Sequence, residues 1–87
     1  MNEELVIFAK ALGHPVRLKI VQILLNKPFS ICRDLVKEVS LSQATVSQHL
    51  KVLRKAGLIR WQGDGSAVLY RLNKIGLDRL KELVNSL

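Results

Sequence analysis

The spacing of apolar residues changes at Gly57, and this change limits the available folds more than any other feature of the chain. Up to Gly57 the apolar residues recur at helical intervals, whereas residues 58–62 and 67–72 alternate between apolar and polar as strands do. Residues 63–66, between these two segments, include two glycines. The pattern predicts a series of helices followed by a β-hairpin with a glycine-rich tip.

Five helices are predicted, at about residues 3–12, 16–26, 30–39, 42–56 and 74–87. Gly13 and Pro15 separate the first two helices. Ser30 and Ser42 are expected to be the N-caps of the third and fourth, because a serine hydroxyl accepts a hydrogen bond from a free amide of the first turn. The expected fold class is mainly α with a β-hairpin wing. It is a winged helix-turn-helix in the order α-α-α-α-β-β-α, with residues 1–87 forming a single domain.

Residues 42–56 carry the most informative pattern, because the two sides of this helix differ in character. At about 100° per residue, Val46, Leu50 and Leu53 cluster on one side, where they are expected to face the core. The opposite side is small, polar and basic, which suits a helix that lies in the major groove of DNA. An ordinary solvated helix face is the alternative, since such faces carry the same residue types. The residues expected to bind DNA from this segment are Ser42, Gln43, Ala44, Thr45, Ser47, Gln48, Lys51 and Lys55.

These side chains have the chemistry that base and phosphate recognition requires. Ala44 and Ser47 are small enough for close approach to base edges, and Gln48 can form two hydrogen bonds to adenine. Lys51 and Lys55 can reach guanine or a phosphate. Together with the short helix before it, the segment predicts a helix-turn-helix that recognises double-stranded DNA.

The hairpin is interpreted as the wing that accompanies this motif. Arg60 and Arg71 are the cations nearest its tip, and both are expected to bind DNA. The tip itself contains Asp64 and Ser66 rather than a cation. A contact between the tip and DNA is therefore left open.

Composition agrees with a nucleic-acid partner and argues against other classes of protein. The 87 residues carry a net charge of +7 and have an isoelectric point of about 10.1, which favours polyanions. No apolar run approaches the roughly 18 residues of a membrane span, and Cys32, the single cysteine, permits no internal disulfide. We therefore expect a cytoplasmic protein without a membrane partner. No catalytic triad or phosphate-binding glycine loop is recognisable, so neither an enzyme nor a cofactor is expected.

The share of apolar residues, 48%, is high for so small a domain, which buries only about 60% of its surface on folding. Apolar stripes in the two terminal helices are expected to be covered by a second subunit. A two-fold homodimer would place its two recognition helices about one DNA turn apart, on a pseudo-palindromic operator. The predicted dimer-interface residues are Leu5, Phe8 and Leu12 in the first helix and Leu77, Leu80, Val84 and Leu87 in the last.

Several segments resemble one known family. Residues 12–18 (LGHPVRL) and 41–59 (LSQATVSQHLKVLRKAGLI), with Val68, Tyr70 and Leu72 of the wing, are similar to the ArsR-type repressors of bacteria and archaea. The resemblance covers nearly the whole chain. It implies a winged-helix dimer that represses transcription and usually releases DNA when it senses a metal, a redox signal or another effector.

The sequence departs from this family where many members hold their metal. Their Cys-x-Cys-Asp-Leu motif, aligned on Asp34, would place cysteines at Ile31 and Arg33, and Cys32 is one position away. A second type of sensor uses Asp, His and Glu on the last helix, which here offers Asp78 and Glu82 without a histidine. No metal site is therefore predicted, although carboxylates from two subunits remain an alternative for a weakly held ion. The small effector is left unknown.

Three further residues have two interpretations each. Cys32 is a candidate redox switch, because nearby cations and a helix N-terminus favour its thiolate, but a buried structural cysteine is the commoner role. His49 is expected to be a partly buried packing residue rather than a base contact, and His14 a turn or cap residue. The alternative for the whole chain is a winged-helix module that binds another protein without DNA specificity.

Overall fold

The computed structural model describes residues 2–63 and 68–87. Their helices and strands follow the predicted order, with one added short strand before the third helix. In chain order they are α1 (Glu3–Leu12), α2 (Pro15–Leu25), β1 (Ser30–Ile31), α3 (Cys32–Val39), α4 (Gln43–Lys55), β2 (Ile59–Gln62), β3 (Leu69–Leu72) and α5 (Lys74–Asn85). The predicted fold class, a winged helix-turn-helix, is confirmed. Residues 64–67, including the predicted wing-tip residues Asp64 and Ser66, lie outside the described residues.

Polar side chains cap four of the helices and set where they begin. Asn2, His14, Ser42 and Asn73 each accept a hydrogen bond from a backbone amide in the first turn of the following helix. Such caps satisfy amides that have no partner inside the helix. The predictions for Ser42 as an N-cap and for His14 as a cap residue are therefore confirmed.

The prediction that Ser30 caps the third helix is wrong. Ser30 and Ile31 form a two-residue strand that pairs with β3, and α3 begins at Cys32 without a side-chain cap. The sheet has the order β1-β3-β2 and is antiparallel throughout. Ser30 is buried beside the wing, where ladder hydrogen bonds replace those of a helical turn. Two residues are too few to show a strand period in the sequence.

The core is shared by the helices and the base of the wing. The predicted inward residues of α4, Val46, Leu50 and Leu53, are each at most 1% exposed. Among the residues that the structure describes, the buried apolar ones are Phe8, Ala11, Ile20, Val21, Leu24, Leu35, Val46, Leu50, Leu53, Leu58, Ile59 and Leu83.

Phe8 belongs to this core, which corrects its expected place at a dimer interface. Only 5% of its surface is exposed in the single chain, so it has almost no area left for a partner. Leu5 and Leu12, on the same stripe, are half-buried. Ala11 is also buried, whereas Ala9 is exposed. The inward face of α1 is therefore rotated slightly from the one inferred.

Helix α5 is held against α1 and leaves apolar side chains uncovered. The Arg79 guanidinium donates to both carboxylate oxygens of Glu4, at 2.9–3.1 Å, which joins the two terminal helices. Leu83 faces the core, whereas Val84 is 48% exposed and Leu87 is 88% exposed. Leu77 and Leu80 are half-buried. One side of α5 thus remains apolar and open.

Candidate nucleic-acid interface

Helix α4 has the two unlike faces that its sequence predicts. Its buried side packs on the core, and the eight residues expected to bind DNA from this segment are all exposed. The eight are Ser42, Gln43, Ala44, Thr45, Ser47, Gln48, Lys51 and Lys55. We call this set the groove face of α4.

Two of these hydroxyl groups fix the start of the helix. The Ser42 Oγ atom accepts a hydrogen bond from the Thr45 amide at 3.2 Å and donates one to the Thr45 Oγ1 atom at 2.8 Å. The first turn contains no acidic residue. The helix N-terminus therefore keeps its partial positive charge toward solvent, which favours a nearby phosphate.

Cys32 lies beside the groove face. Its Sγ atom is 3.7 Å from the Ser47 Oγ atom, so the first turn of α3 touches the middle of the exposed side of α4. The thiol is partly buried and has no disulfide partner. The contact lies at the packing of α3 on α4, the two helices of the helix-turn-helix. The role of Cys32 in redox sensing stays a prediction.

A cluster of Arg17, His14 and His49 joins three helices behind this face. The Arg17 side chain donates to the backbone oxygens of Ala11 at 2.7 Å and Lys10 at 3.1 Å. Its Nη1 atom lies 3.4 Å from the His49 Nδ1 atom. The rings of His14 and His49 are 4.4 Å apart. His49 is half-buried, so its expected packing role is confirmed, whereas Arg17 was not anticipated as a structural residue.

The cluster predicts that acid weakens the fold below about pH 6.5. Burial lowers the pKa of His49, and charge on His14 and Arg17 lowers it further. In the unfolded chain the pKa of a histidine is about 6.5, and in the folded chain the pKa of His49 is lower. The unfolded chain therefore binds a proton more readily than the folded chain does. The free energy of unfolding is highest above pH 6.5 and decreases as the pH falls from 6.5 through the pKa of the folded chain. We expect the free energy of unfolding in urea to be flat from pH 7.5 to 7 and to decrease below 6.5.

The His49→Gln variant should flatten this pH dependence, since glutamine accepts a hydrogen bond from Arg17 without titrating. His14→Asn, which retains a capping side chain, serves as the comparison. An unchanged slope in His49→Gln would show that other groups cause the acid sensitivity.

The wing arginines lie on the outer face of the sheet. Arg60 pairs with Arg71 across β2 and β3, and both are exposed. Ile59 and Trp61 point to the opposite face, where the Arg54 guanidinium lies 4.7 Å from the Trp61 ring centroid. Arg60 and Arg71 therefore point away from α4, and any contact they make with DNA is beside the groove face rather than continuous with it.

Like charges directly opposite each other destabilise a sheet unless an anion lies between them. Neither Arg60 nor Arg71 takes part in an ion pair among the described residues. The pair lines a cavity of about 290 Å³ together with Asn73 and Lys74 at the start of α5. A phosphate is the type of group that would relieve this repulsion.

The described residues contain no cluster of three or more His, Cys, Asp or Glu that suits a metal ion. Glu82 on α5 is engaged by Arg79 at 3.3 Å. Among the same residues, no helix has the length and apolar character needed to cross a bilayer.

The overall fold agrees with the comparisons to known proteins. The family model described as "Bacterial regulatory protein, arsR family" matches residues 14–60, which include α2, the helix-turn-helix and the start of the wing. The chain belongs to the ArsR family. Members of this family are bacterial regulatory proteins, and the family is not enzymatic.

The relatives of this ArsR-family chain include regulators with opposite effects. It is 36% identical to a biofilm growth-associated repressor of Xylella fastidiosa over 90% of this chain and 65% of the relative. It is 33% identical to the transcriptional activator HlyU of Vibrio cholerae over 94% of this chain and 75% of the relative. The solved structure of that HlyU superposes with a TM-score of 0.80 at 30% identity, covering 97% of this chain and 90% of the other.

A further relative is an uncharacterised HTH-type transcriptional regulator of Mycobacterium tuberculosis, 37% identical over 75% of this chain. The chain spans 57% of the length of that regulator and 65% of the Xylella repressor. The relatives of this chain thus include both a repressor and an activator.

Proposed function

We propose that this ArsR-family regulator represses transcription as a homodimer bound to a pseudo-palindromic operator, with α4 of each subunit in a major groove. The exposure of all eight groove-face residues, opposite a fully buried side, is the observation that supports this most directly. The charge of +7 on 87 residues supports tight association with a polyanion. No small effector is assigned by this argument.

Within the groove face, the residues are assigned different roles. Gln48 is assigned to base recognition, because its amide can bond two atoms of adenine in the major groove. Lys51 and Lys55, toward the end of α4, are assigned to phosphates or guanine. Ser42 and Thr45, at the helix start, are assigned to a phosphate near the free amides.

Arg60 and Arg71 are assigned to the DNA backbone on the outer side of the wing. Their cross-strand pairing and exposure support binding to a phosphate. Because they point away from α4, they would contribute to affinity without reading bases.

The open apolar side of α5 supports a dimer. Val84 on α5 and Leu87, just beyond the end of this helix at Asn85, expose large apolar surfaces. Uncovered apolar groups favour association, and two-fold pairing is the commonest symmetry of small regulators. Leu5, Leu12, Leu77 and Leu80, all half-buried, are assigned to the rim of this interface.

Repression is proposed because a dimer that covers a promoter excludes polymerase without any further contact. A promoter–reporter fusion tests the direction. Deleting the gene that encodes this chain should raise expression of the reporter from a promoter that carries the operator. A fall in reporter expression would instead indicate an activator.

The experiment for the groove face is a selection of bound sequences from random duplex DNA, repeated with two variants. Gln48→Ala should relax the preference at one base position, with a loss of about 1–3 kcal/mol for the preferred operator. Lys51→Ala should weaken the binding of all DNA sequences alike. It should also reduce the dependence of affinity on salt concentration by the amount expected for about one phosphate contact. Lys19→Ala, an exposed lysine on α2, is the control and should leave both unchanged.

Two results would contradict the assignment. Affinity that does not fall as salt rises would mean that phosphate contacts are absent. Unaltered operator binding in both Gln48→Ala and Lys51→Ala would place the DNA elsewhere on the molecule.

A further inference from the structure

A groove between α1, α2 and α4 borders the groove face at Lys55, and its other lining residues have no part in the proposed function. Its volume is about 410 Å³, within the range of about 300–1,000 Å³ found for sites of small organic ligands. Its apolar surface comes from Ile7, Ala11, Val52 and Ala56. Ile7 is 55% exposed and Val52 is 39% exposed, so apolar area is open to a ligand. We call this site the α1–α4 groove.

Three cations surround the apolar surface, one from each helix. They are Lys10 of α1, Arg17 of α2 and Lys55 of α4, and none of the lining residues is acidic. None of the three takes part in an ion pair among the residues that the structure describes. Arg17 donates only to neutral acceptors, the two α1 carbonyls and His49. The positive charge at the groove is therefore uncompensated there.

This combination selects one class of ligand. An organic cation would be repelled, and a neutral apolar molecule would leave the three charges unpaired. A small inorganic anion would leave the apolar surface in contact with water. A molecule with an apolar body and an anionic head satisfies both features, because lysine and arginine form strong charge-assisted hydrogen bonds with carboxylates.

We propose that the α1–α4 groove binds a small amphipathic carboxylate, such as a free medium-chain fatty acid, and that its occupation weakens operator binding. The link to DNA is Lys55, which lines the groove and also belongs to the groove face of α4. A carboxylate paired with Lys55 removes a positive charge from the DNA-binding side. Arg17 provides a second link, because this α2 residue lines the groove and contacts His49 of α4, the helix that carries Lys55.

Binding is tested first without DNA, by titration calorimetry of the full chain with decanoate. We expect saturable binding of one decanoate per subunit. Decanol, which has the same body without charge, should bind about tenfold more weakly, and decyltrimethylammonium should not bind measurably. Equal binding of all three compounds, or of none, would overturn the proposal.

Paired variants locate the site. Ile7→Asp places a carboxylate on the apolar surface, and the neighbouring exposed Val6→Asp adds the same charge outside the groove. Lys10→Glu reverses a charge at the groove, and Lys19→Glu reverses one elsewhere on α2. Decanoate affinity should fall by about tenfold or more in Ile7→Asp and Lys10→Glu and stay unchanged in the two controls.

Two other occupants are distinguishable in the same variants. If Ile7→Asp converts a dimer to monomers while Val6→Asp does not, a second copy of the chain covers the groove. If Lys10→Glu lowers operator affinity in the absence of decanoate while Lys19→Glu does not, the groove belongs to the DNA interface. Either result overturns the proposal of a small ligand.

The proposal that decanoate weakens operator binding rests on the proposed function. A failure of the proposed function can be distinguished from a failure of the decanoate site. Decanoate should weaken operator binding by the wild-type chain and not by Lys10→Glu. If decanoate binds the DNA-free chain and no operator is bound under any condition, the proposed function fails and the site stands. If the operator is bound and decanoate is not, the site is wrong and the proposed function stands.

Discussion

Replacing Val84 with aspartate is expected to convert the regulator to a monomer and to weaken operator binding by at least about a hundredfold. Val84 is 48% exposed on the apolar side of α5, next to the almost fully exposed Leu87. In a two-fold interface each subunit contributes one new carboxylate, and both carboxylates are buried without an ion-pair partner. Each half-site must then be bound separately, so the gain from linked binding is lost. Sedimentation equilibrium and gel shifts measure the two effects.

Asn85→Asp is the matched control, because it adds the same charge one residue further along α5, on its exposed polar side. It should remain dimeric and bind the operator as the wild type does. Circular dichroism of both variants checks that the single chain is still folded. A wild-type chain that is monomeric at operator-binding concentrations, or a Val84→Asp variant that still dimerises, would disprove the proposed interface.

The Gly76→Ala substitution is expected to destabilise the fold by about 3 kcal/mol, a large part of the stability of a small domain. A Cβ atom at position 76 would lie 1.8 Å from the backbone oxygen of Gly57 and 2.9 Å from its carbonyl carbon. A backbone carbonyl cannot relieve this clash by changing rotamer as a side chain can. Helix α5 must therefore move away from the end of α4. Helix propensity alone would predict a small gain from alanine, so the sign of the effect is diagnostic.

Gly57→Ala separates steric conflict from backbone strain. Gly57 has φ of +84°, and no other atom lies within 4 Å of a Cβ added there. Its cost should be only the strain of a left-handed residue, about 1 kcal/mol. Urea unfolding of both variants gives the comparison. A loss in Gly76→Ala no larger than that in Gly57→Ala would mean that α5 has room to shift.

Much of the candidate site was predictable because α4 is long and strongly two-sided. Val46, Leu50 and Leu53 define its inward direction by spacing alone, and the groove face follows as the opposite side. The cap at Ser42 and the left-handed Gly57 are local features, so they too were readable from residue type. The burial of Leu83 rather than Val84 could not be predicted from residue type. Both residues lie close to the apolar stripe of α5, and the position of α1 decides which of them is buried.

The tertiary contacts were the part that sequence reasoning missed. Strand β1 depends on pairing with β3, some forty residues away, and has no period of its own. Arg17 resembles an ordinary solvated cation in the sequence, and only the packing of α1, α2 and α4 places its donors on the α1 carbonyls and beside His49. The direction of Arg60 and Arg71, away from α4, likewise follows from the register of the wing.

By itself the sequence determined which segments are helices, where the hairpin begins, and which side of residues 42–56 is free to meet DNA. These features depend on the spacing and backbone preferences of neighbouring residues, which are local properties. Only the tertiary structure decided that Gly76 touches Gly57, that Phe8 belongs to the core, and that an apolar groove with three cations opens between α1, α2 and α4. Those contacts depend on how whole helices pack, and helix packing joins residues whose separation along the chain leaves no local pattern.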